Sequence, residues 1–486
     1  MNKKFYVTTP IYYVNDVPHV GHAYTTIAAD VLARYYRLLG FDVFFLTGTD
    51  EHGTKVAASA QDAGKKPKQF CDEIVLRFID AWKRLNIAND YFIRTTDSRH
   101  EKIVQALIQK AYNNGYVYKG TYKGLYCIGC EKFLTETDLV DNRCPLHPNR
   151  KPVRQKETNY FFKLSAFKDT LIKAIENKKD KNHYEILPEK RKSEILGKLK
   201  QGLNDVSISR ASVKWGVPVP WDKTQTIYVW FDALLNYYTA TKFVKNRTKF
   251  WPAELHLIGK DILWFHTVIW QAFLLAVGLS LPKTIFAHGY FTINGRKMSK
   301  SLGNVISPAD LIKKFGIDGT RYSMLSEFPF GTDGDISLEK FKIRYNADLA
   351  NGLGNLCQRV AALAENAKLK ITNDKLFRLH RESSTKSGKL QIQNYKAYSK
   401  FFSEYRFNEC LAWIWEKISK VDRYIDQTKP WTKKGESLAK LLEKPIREIQ
   451  EIAYFLKPFL PETAEKIEKQ FKGPKIKSGE PLFPRI

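Results

Sequence analysis

The stretch from Lys4 to Leu46 decides the fold. It opens with Lys4-Phe5-Tyr6-Val7-Thr8-Thr9, a β-branched and aromatic run that predicts a short buried strand over 4–9. A loop follows, broken by Pro10 and Pro18. From about Ala23, the residues Ile27, Val31, Leu32, Tyr35 and Leu38 recur at three- and four-residue steps and Gly40 ends the run, which predicts a helix. Val43-Phe44-Phe45-Leu46 reads as a second strand, followed by Gly48-Thr49-Asp50-Glu51-His52-Gly53 and another helical pattern. Strand, helix, strand, helix is the opening of a parallel α/β sheet.

Working outward, this rhythm breaks over about 116–225, a stretch with a lysine-rich segment from Lys178 to Lys200 that reads as an insertion. It resumes near Ile227, with a strand expected at Leu255 to Ile258, a helix at Asp261 to Val277 and a strand at Thr284 to Ala287. From about Arg344 the periodicity is mostly helical. Leu349, Leu353, Leu356, Val360 and Leu363 step by fours and threes, as in a packed bundle helix.

The 486 residues carry 79 Lys+Arg against 51 Asp+Glu, a net charge of +28. At about 150 residues per domain, that length suggests about three domains. Hydrophobic residues at 43% exclude a disordered chain. The longest apolar stretch, around Phe273 to Leu281, is far short of the roughly 20 residues that span a bilayer, so no membrane association is expected. Pro10, Asn15 and Asp16 interrupt any secretory signal, which makes a cytoplasmic location the expectation. Six cysteines make no disulfide framework. The positive excess points to a polyanionic partner, nucleic acid ahead of a membrane surface, or to a solvated lysine-rich surface.

Three constellations carry chemistry. His19-Val20-Gly21-His22 lies in the loop after the first strand, at the mouth of a helix, where parallel sheets bind ligands. Two imidazoles there suit a phosphate; structural helix-start histidines and a metal pair are the other readings. Lys297-Met298-Ser299-Lys300-Ser301 follows Gly289 and Asn294-Gly295, so it sits on a glycine-bearing loop. Two lysines on such a loop can follow a phosphate chain as its charge grows, and an exposed basic loop is the plain alternative. The chain has no Gly-x-x-x-x-Gly-Lys-Ser/Thr loop to do that work. Cys127-x2-Cys130 and Cys144-x2-His147 form a Cys3His set with the spacing of a closed, structural zinc site. Cys71, Cys357 and Cys410 fall in apolar helical patterns and are expected to be buried.

The two phosphate motifs, in this order with a sheet between them, are the signatures of class I aminoacyl-tRNA synthetases. Further motifs narrow the resemblance: Thr9-Pro10-Ile11-Tyr12-Tyr13-Val14-Asn15, Gly48-Thr49-Asp50-Glu51-His52-Gly53, Tyr228-Val229-Trp230-Phe231-Asp232-Ala233, and Ile258-Gly259-Lys260-Asp261-Ile262. From residue 5 to Ile486 the chain resembles the methionyl-tRNA synthetase family. The resemblance implies a Rossmann-like catalytic domain (1–115 and 226–290) split by a zinc-bearing connective insertion (116–225). A lysine-loop and stem-contact region (291–345) and an α-helical anticodon-binding domain (346–486) would follow. It implies activation of L-methionine with ATP to methionyl-adenylate and transfer to tRNA(Met), releasing AMP and diphosphate, for initiation and elongation of translation.

The implied residue roles follow position by position. His19 and His22 would contact the ATP phosphates, Lys297 and Lys300 would stabilise the transition state and the leaving pyrophosphate, and Gly259 and Asp261 would hold the ribose. The methionine pocket would draw on Ile11, Tyr13, Asp50, Trp230, Leu234, Tyr237, Ile262 and His266, with Asp50 on the substrate ammonium. An aromatic-lined slot suits a thioether, since sulfur–aromatic contacts contribute about 0.3–1.5 kcal/mol. Asn355 and Arg359, an i,i+4 pair, and Trp431 would read the anticodon. One structural zinc per chain is expected, and magnesium would arrive with ATP. Because the chain ends where a further tRNA-binding domain begins in some relatives, a monomer is expected.

Rival readings explain less. Synthetases for leucine, isoleucine or valine usually carry a larger editing insertion without this knuckle. A non-enzymatic zinc and RNA-binding protein leaves both phosphate motifs idle. A small-molecule adenylyltransferase does not need the basic helical C-terminal third.

Overall fold

The computed structural model of the chain describes residues 3–128, 132–134, 136–145, 147–297, 305–368 and 396–486. Its centre is a six-stranded parallel sheet of β1 (Lys4–Tyr13), β2 (Asp42–Asp50), β3 (Tyr91–Arg94), β4 (Glu185–Leu187), β5 (Leu255–Gly259) and β6 (Thr284–His288). The strand order is β3-β2-β1-β5-β6-β4. The first strand runs past the expected Thr9, because it crosses Pro10 with a register shift between Thr8 and Ile11. A proline in a strand interior is tolerated at such an irregularity. The Cα partnership of β1 with β2 continues to Tyr13 and Asp50, whereas that of β1 with β5 ends at Thr8 and His256. The two central strands therefore part at their carboxyl ends, and this opening is where parallel sheets hold ligands.

The first helix spans Val20–Leu38 and begins three residues earlier than its apolar pattern. The cause is local. His19 Nδ1 accepts the Gly21 N–H at 3.1 Å, and His22 Nδ1 accepts the His19 N–H at 3.4 Å, a reciprocal cap built from two imidazoles. Gly40 at φ 75° turns the chain out of the helix.

The 116–225 stretch contains a four-stranded sheet of Lys132–Leu134, Val117–Cys127, Val153–Phe162 and Val206–Ser207, in that order. It is not all separate from the main sheet. Glu185–Leu187 pairs in parallel with β6, through Ile186 and Ile285. A three-residue edge strand before Pro188 is too short to show a period, so the sequence pattern carried no sign of it. The expected helix over Asp261 to Val277 also differs. It is a 3-10 turn (Lys260–Ile262), a π-helical turn (Phe265–Ile269) and then α-helix (Trp270–Ala276). Thr267 Oγ1 donates to the Leu263 carbonyl at 2.7 Å, and Gln271 Nε2 donates to the His266 carbonyl at 2.8 Å, within or beside the widened turn.

The C-terminal third is helical. Tyr345–Gly354 is a π-helical segment leading into the α-helix Asn355–Asn366, followed by Lys396–Ser403, Phe407–Thr428, Gly435–Leu456 and Pro461–Phe471. Leu349, Leu353, Leu356 and Val360 are buried, as their spacing predicts. Cys71, Cys357 and Cys410 are buried too. Among the described residues no helix is long and apolar enough to cross a membrane.

One fully buried ion pair joins these parts. Arg321, on the helix Pro308–Ser326, donates from Nη2 to Asp30 Oδ2 at 2.7 Å, and both side chains are wholly inaccessible. The same guanidinium donates to the carbonyls of Phe459 (2.8 Å), Pro458 (3.0 Å) and Leu85 (3.2 Å). Asp30, on the first helix, also accepts from Arg34 Nε (2.7 Å) and the Ala88 N–H (2.8 Å). Removing one member of such a pair leaves a buried charge without its partner. Arg321→Met is expected to destabilise the chain by about 3–5 kcal/mol in urea unfolding, and the double change with Asp30→Asn by less. Equal losses in the single and double variants would show that charge pairing is not what holds this junction.

Candidate active site at the parting strands

The helix-start histidines stand at the mouth of the opening. Their rings stack at 3.7 Å and 22°. Burial, and after it the proximity of His19, pushes the His22 pKa well below the usual imidazole range. With Nδ1 of each ring turned to a backbone N–H, the neutral proton belongs on Nε2. A pair of neutral N–H donors at a helix N-terminus suits a polyphosphate. His288, at the end of β6, steadies this helix start: its Nε2 accepts the Thr25 hydroxyl at 2.6 Å and its Nδ1 donates to the Gly289 carbonyl at 2.8 Å.

Across the opening, β5 ends at Gly259. A Cβ there would lie 2.5 Å from Asp261 Oδ1, so a side chain at this position would displace that carboxylate. Asp261 is exposed and Ile262 half-buried.

The apolar wall is contiguous. Leu234 and Tyr237 are buried in one hydrophobic cluster, against which Ile11, Tyr13, Trp230 and Ile262 pack. Trp230 stacks on Phe265 at 3.9 Å and 9°, and stands edge-on to His266 at 6.4 Å. His266 Nδ1 lies 3.0 Å from the Ile262 carbonyl, which can only accept, so this nitrogen carries the proton. Burial draws the His266 pKa down to about 4, so the ring is neutral and its Nε2 accepts the Tyr237 hydroxyl at 2.8 Å. The π-helical turn places His266 for that bond. Asp50, buried, ends β2 directly opposite Tyr13.

The lysine loop springs from a hairpin of Phe291–Ile293 and Arg296–Lys297. Asn294 (φ 52°) and Gly295 (φ 73°) make its turn. Asp335 Oδ1 holds it, accepting from the Gly295 N–H (2.6 Å) and Thr292 Oγ1 (2.7 Å). Those bonds, the backbone one first, hold the Asp335 carboxyl down at about 2. Lys297 lies on the second strand, and Lys300 lies outside the described residues.

At the metal candidate, Cys127 Sγ and Cys144 Sγ lie 3.7 and 3.9 Å from His147 Nδ1. All three ligand atoms fall within 4.8 Å of one another. Tetrahedral zinc–sulfur and zinc–nitrogen bonds imply an S···N edge of about 3.6 Å, so the three fit such an ion. Cys130 lies outside the described residues.

The expected anticodon readers all lie in the C-terminal helical region. Asn355 is exposed at a helix start. Trp431 is 54% exposed in the turn just after Phe407–Thr428. Arg359 is engaged with two acids of that helix, Asp426 at 2.7 Å and Asp422 at 3.5 Å. A separate cavity of about 310 Å³ lies between Phe407–Thr428 and Gly435–Leu456. Its Lys420 and Lys417 are matched by Glu416 at 2.7 Å and Glu451 at 3.7 Å.

Two features had no signal in the sequence pattern. Arg210, only 3% exposed, places its guanidinium 4.0 Å over the Tyr228 ring and lines a small cavity with His52, Trp215 and Tyr126. Asp232 binds two buried histidines. A lone arginine between serines and an aspartate inside an apolar motif show no periodicity that marks them.

Comparison with known proteins agrees with this geometry. A family model described as tRNA synthetases class I (M) matches residues 5–150 and 136–361. A methionine–tRNA ligase of Thermotoga maritima is 45% identical over 99% of this chain and 80% of its own length. One of Clostridium acetobutylicum is 44% identical over 100% and 78%. The Mycobacterium tuberculosis methionyl-tRNA synthetase in complex with methionyl-adenylate superposes with a TM-score of 0.88, at 36% identity over 99% of this chain and 100% of that one. The chain belongs to the methionyl-tRNA synthetases of class I.

Proposed function

We propose that the chain is a methionine–tRNA ligase. It joins the carboxylate of L-methionine to the α-phosphorus of ATP, releasing diphosphate, and passes the methionyl group to the terminal ribose of tRNA(Met), releasing AMP. The observation that carries this reading is the convergence at the parted ends of β1 and β5. The imidazole-capped start of the first helix, the apolar and aromatic cluster of Leu234 and Tyr237, and the buried Asp50 carboxylate at the end of β2 support it.

No protein nucleophile is needed. Asp50 holds the ammonium, and Ile11, Tyr13, Trp230, Leu234, Tyr237, Ile262 and His266 enclose the thioether side chain. Gly259 and Asp261 take the ribose. His19 and His22 donate to the phosphates, and Lys297 and Lys300 follow the charge onto the leaving diphosphate, with magnesium carried in on ATP. Cys127, Cys130, Cys144 and His147 hold zinc, which cross-links the connective insertion. In this reading 1–115 and 226–290 form the catalytic domain and 116–225 the connective insertion, which lends Glu185–Leu187 to the catalytic sheet. Residues 291–345 contact the tRNA stem, and 346–486 read the anticodon through Asn355, Arg359 and Trp431. Arg359 exchanges its bond to Asp426 for a base edge.

Exchange of labelled pyrophosphate into ATP is expected to depend on methionine, with each of the other nineteen amino acids giving far less; stimulation by leucine or cysteine instead would overturn the specificity. Trp431→Ala is expected to lower kcat/KM for tRNA charging about 10- to 100-fold, the loss of one stacked base, and to spare pyrophosphate exchange. An equal loss in both assays would place Trp431 elsewhere. Metal analysis is expected to find about one zinc per chain, lost in Cys144→Ser. A metal-free wild-type chain would remove the knuckle.

A further inference from the structure

Asp232 is 1% exposed and sits on the five-residue helix Val229–Ala233, two residues after Trp230. Its two carboxylate oxygens are divided between two histidines. Oδ2 lies 2.7 Å from His52 Nδ1 and Oδ1 lies 2.9 Å from His100 Nε2. His52 belongs to the turn Asp50-Glu51-His52-Gly53 that leaves β2, and His100 to the helix Ser98–Asn113. His100 Nδ1 in turn meets Thr239 Oγ1 at 2.7 Å, on the helix Asn236–Phe243.

Burial alone would raise the Asp232 carboxyl, but the two imidazoles outweigh it and hold the group at about 2. An ionised carboxylate only accepts, so both histidines donate to it. His52 also faces Glu101, whose Oε1 is 3.6 Å from its Nε2, and the field of Glu51. Glu51 is itself matched by Arg94 through bonds of 2.7 and 2.9 Å. The turn is braced a second time: the Gly53 N–H donates to the Trp215 carbonyl at 3.0 Å, and Trp215 Nε1 donates to the Glu51 carbonyl at 2.5 Å.

Neither the apolar wall nor the phosphate site uses Asp232. It stands on the helix of Trp230 and is bonded through His52 to the turn that begins at Asp50. We infer that Asp232 is a positioning residue for methionine activation: through His52 it locks the Asp50 turn to the Trp230 helix, so that the ammonium and thioether ends of the pocket keep one spacing. This rests on the pocket reading above.

The lock predicts a specific loss. Asp232→Asn must turn an N–H toward one imidazole, which forces that ring into its other tautomer. His52→Leu removes the donor, whereas His52→Asn keeps an amide N–H near the place of Nδ1. In pyrophosphate exchange, Asp232→Asn and His52→Leu are expected to raise KM for methionine about tenfold or more, while His52→Asn stays within about threefold of wild type. KM for ATP is expected to stay within about twofold in all three, since the phosphate site is held by other bonds. His52→Leu and His52→Asn also answer the question if Asp232→Asn does not fold. Equal impairment of His52→Leu and His52→Asn, or a fall in kcat with unchanged KM for methionine, would overturn the lock. Trp230→Ala separates the premise: if it leaves KM for methionine unchanged, the pocket reading fails and the lock with it. If Trp230→Ala raises that KM and Asp232→Asn does not, the lock alone fails.

Discussion

The parallel pairing of β1 with β5, and where it stops, is the constraint on which the rest of the molecule depends. Val7 pairs with Leu255 and Thr8 with His256, and no further partnership joins these strands, although β1 continues to Tyr13. Beyond Thr8, β1 pairs with β2 alone, through Ile11, Tyr12 and Tyr13. Ile11 and Tyr13 are thereby presented at an edge, facing the end of β5 with Gly259 and the turn of Asp261 and Ile262. Everything assigned to amino-acid and nucleotide binding is arranged around that opening. The constraint is non-local, since strands 248 residues apart in the sequence must meet. It explains why so much intervening chain can be spent on a separate four-stranded sheet.

Around this opening the structure uses buried polar groups as joints. Asp30 with Arg321 ties the first helix to the helix after the lysine loop and to the Pro458–Phe459 turn of the C-terminal bundle. Asp232 ties a β2 turn to a pocket helix. Each carboxylate accepts from at least two donors on different elements. In a dry interior such fully matched groups fix geometry more than they add stability. A site whose work is alignment of two substrates, with no covalent step on the protein, has reason to spend its polar groups this way.

Much of this was legible from the residues alone. The strand–helix–strand opening, the buried cysteines and the Leu349 to Val360 stripe follow from periodicity, which reports burial directly. The site motifs were legible because their chemistry is unusual at short range: paired imidazoles at a helix start, and Cys and His at two-residue spacing. What escaped was set by partners distant in sequence. Glu185–Leu187 is a strand only because β6 offers it an edge. The π-helical turn at His266 arises where side chains bond to backbone carbonyls along the helix. Arg359 has the residue type of a base reader, yet its bonds to Asp422 and Asp426 depend on how two helices pack. Arg210 and Asp232 carry no periodic signal, and their roles emerge only when Tyr228, His52 and His100 surround them.

The central claim is spatial: methionine and ATP meet where β1 and β5 part. The most direct test is a crystal structure of the chain with methionine and a non-hydrolysable ATP analogue. The methionine side chain is expected against Trp230, Tyr237 and His266, its ammonium at Asp50, and the phosphates at His19 and His22. Density for the amino acid or the nucleotide elsewhere, such as in the lysine-lined cavity between the C-terminal helices, with the β1–β5 opening empty, would contradict it.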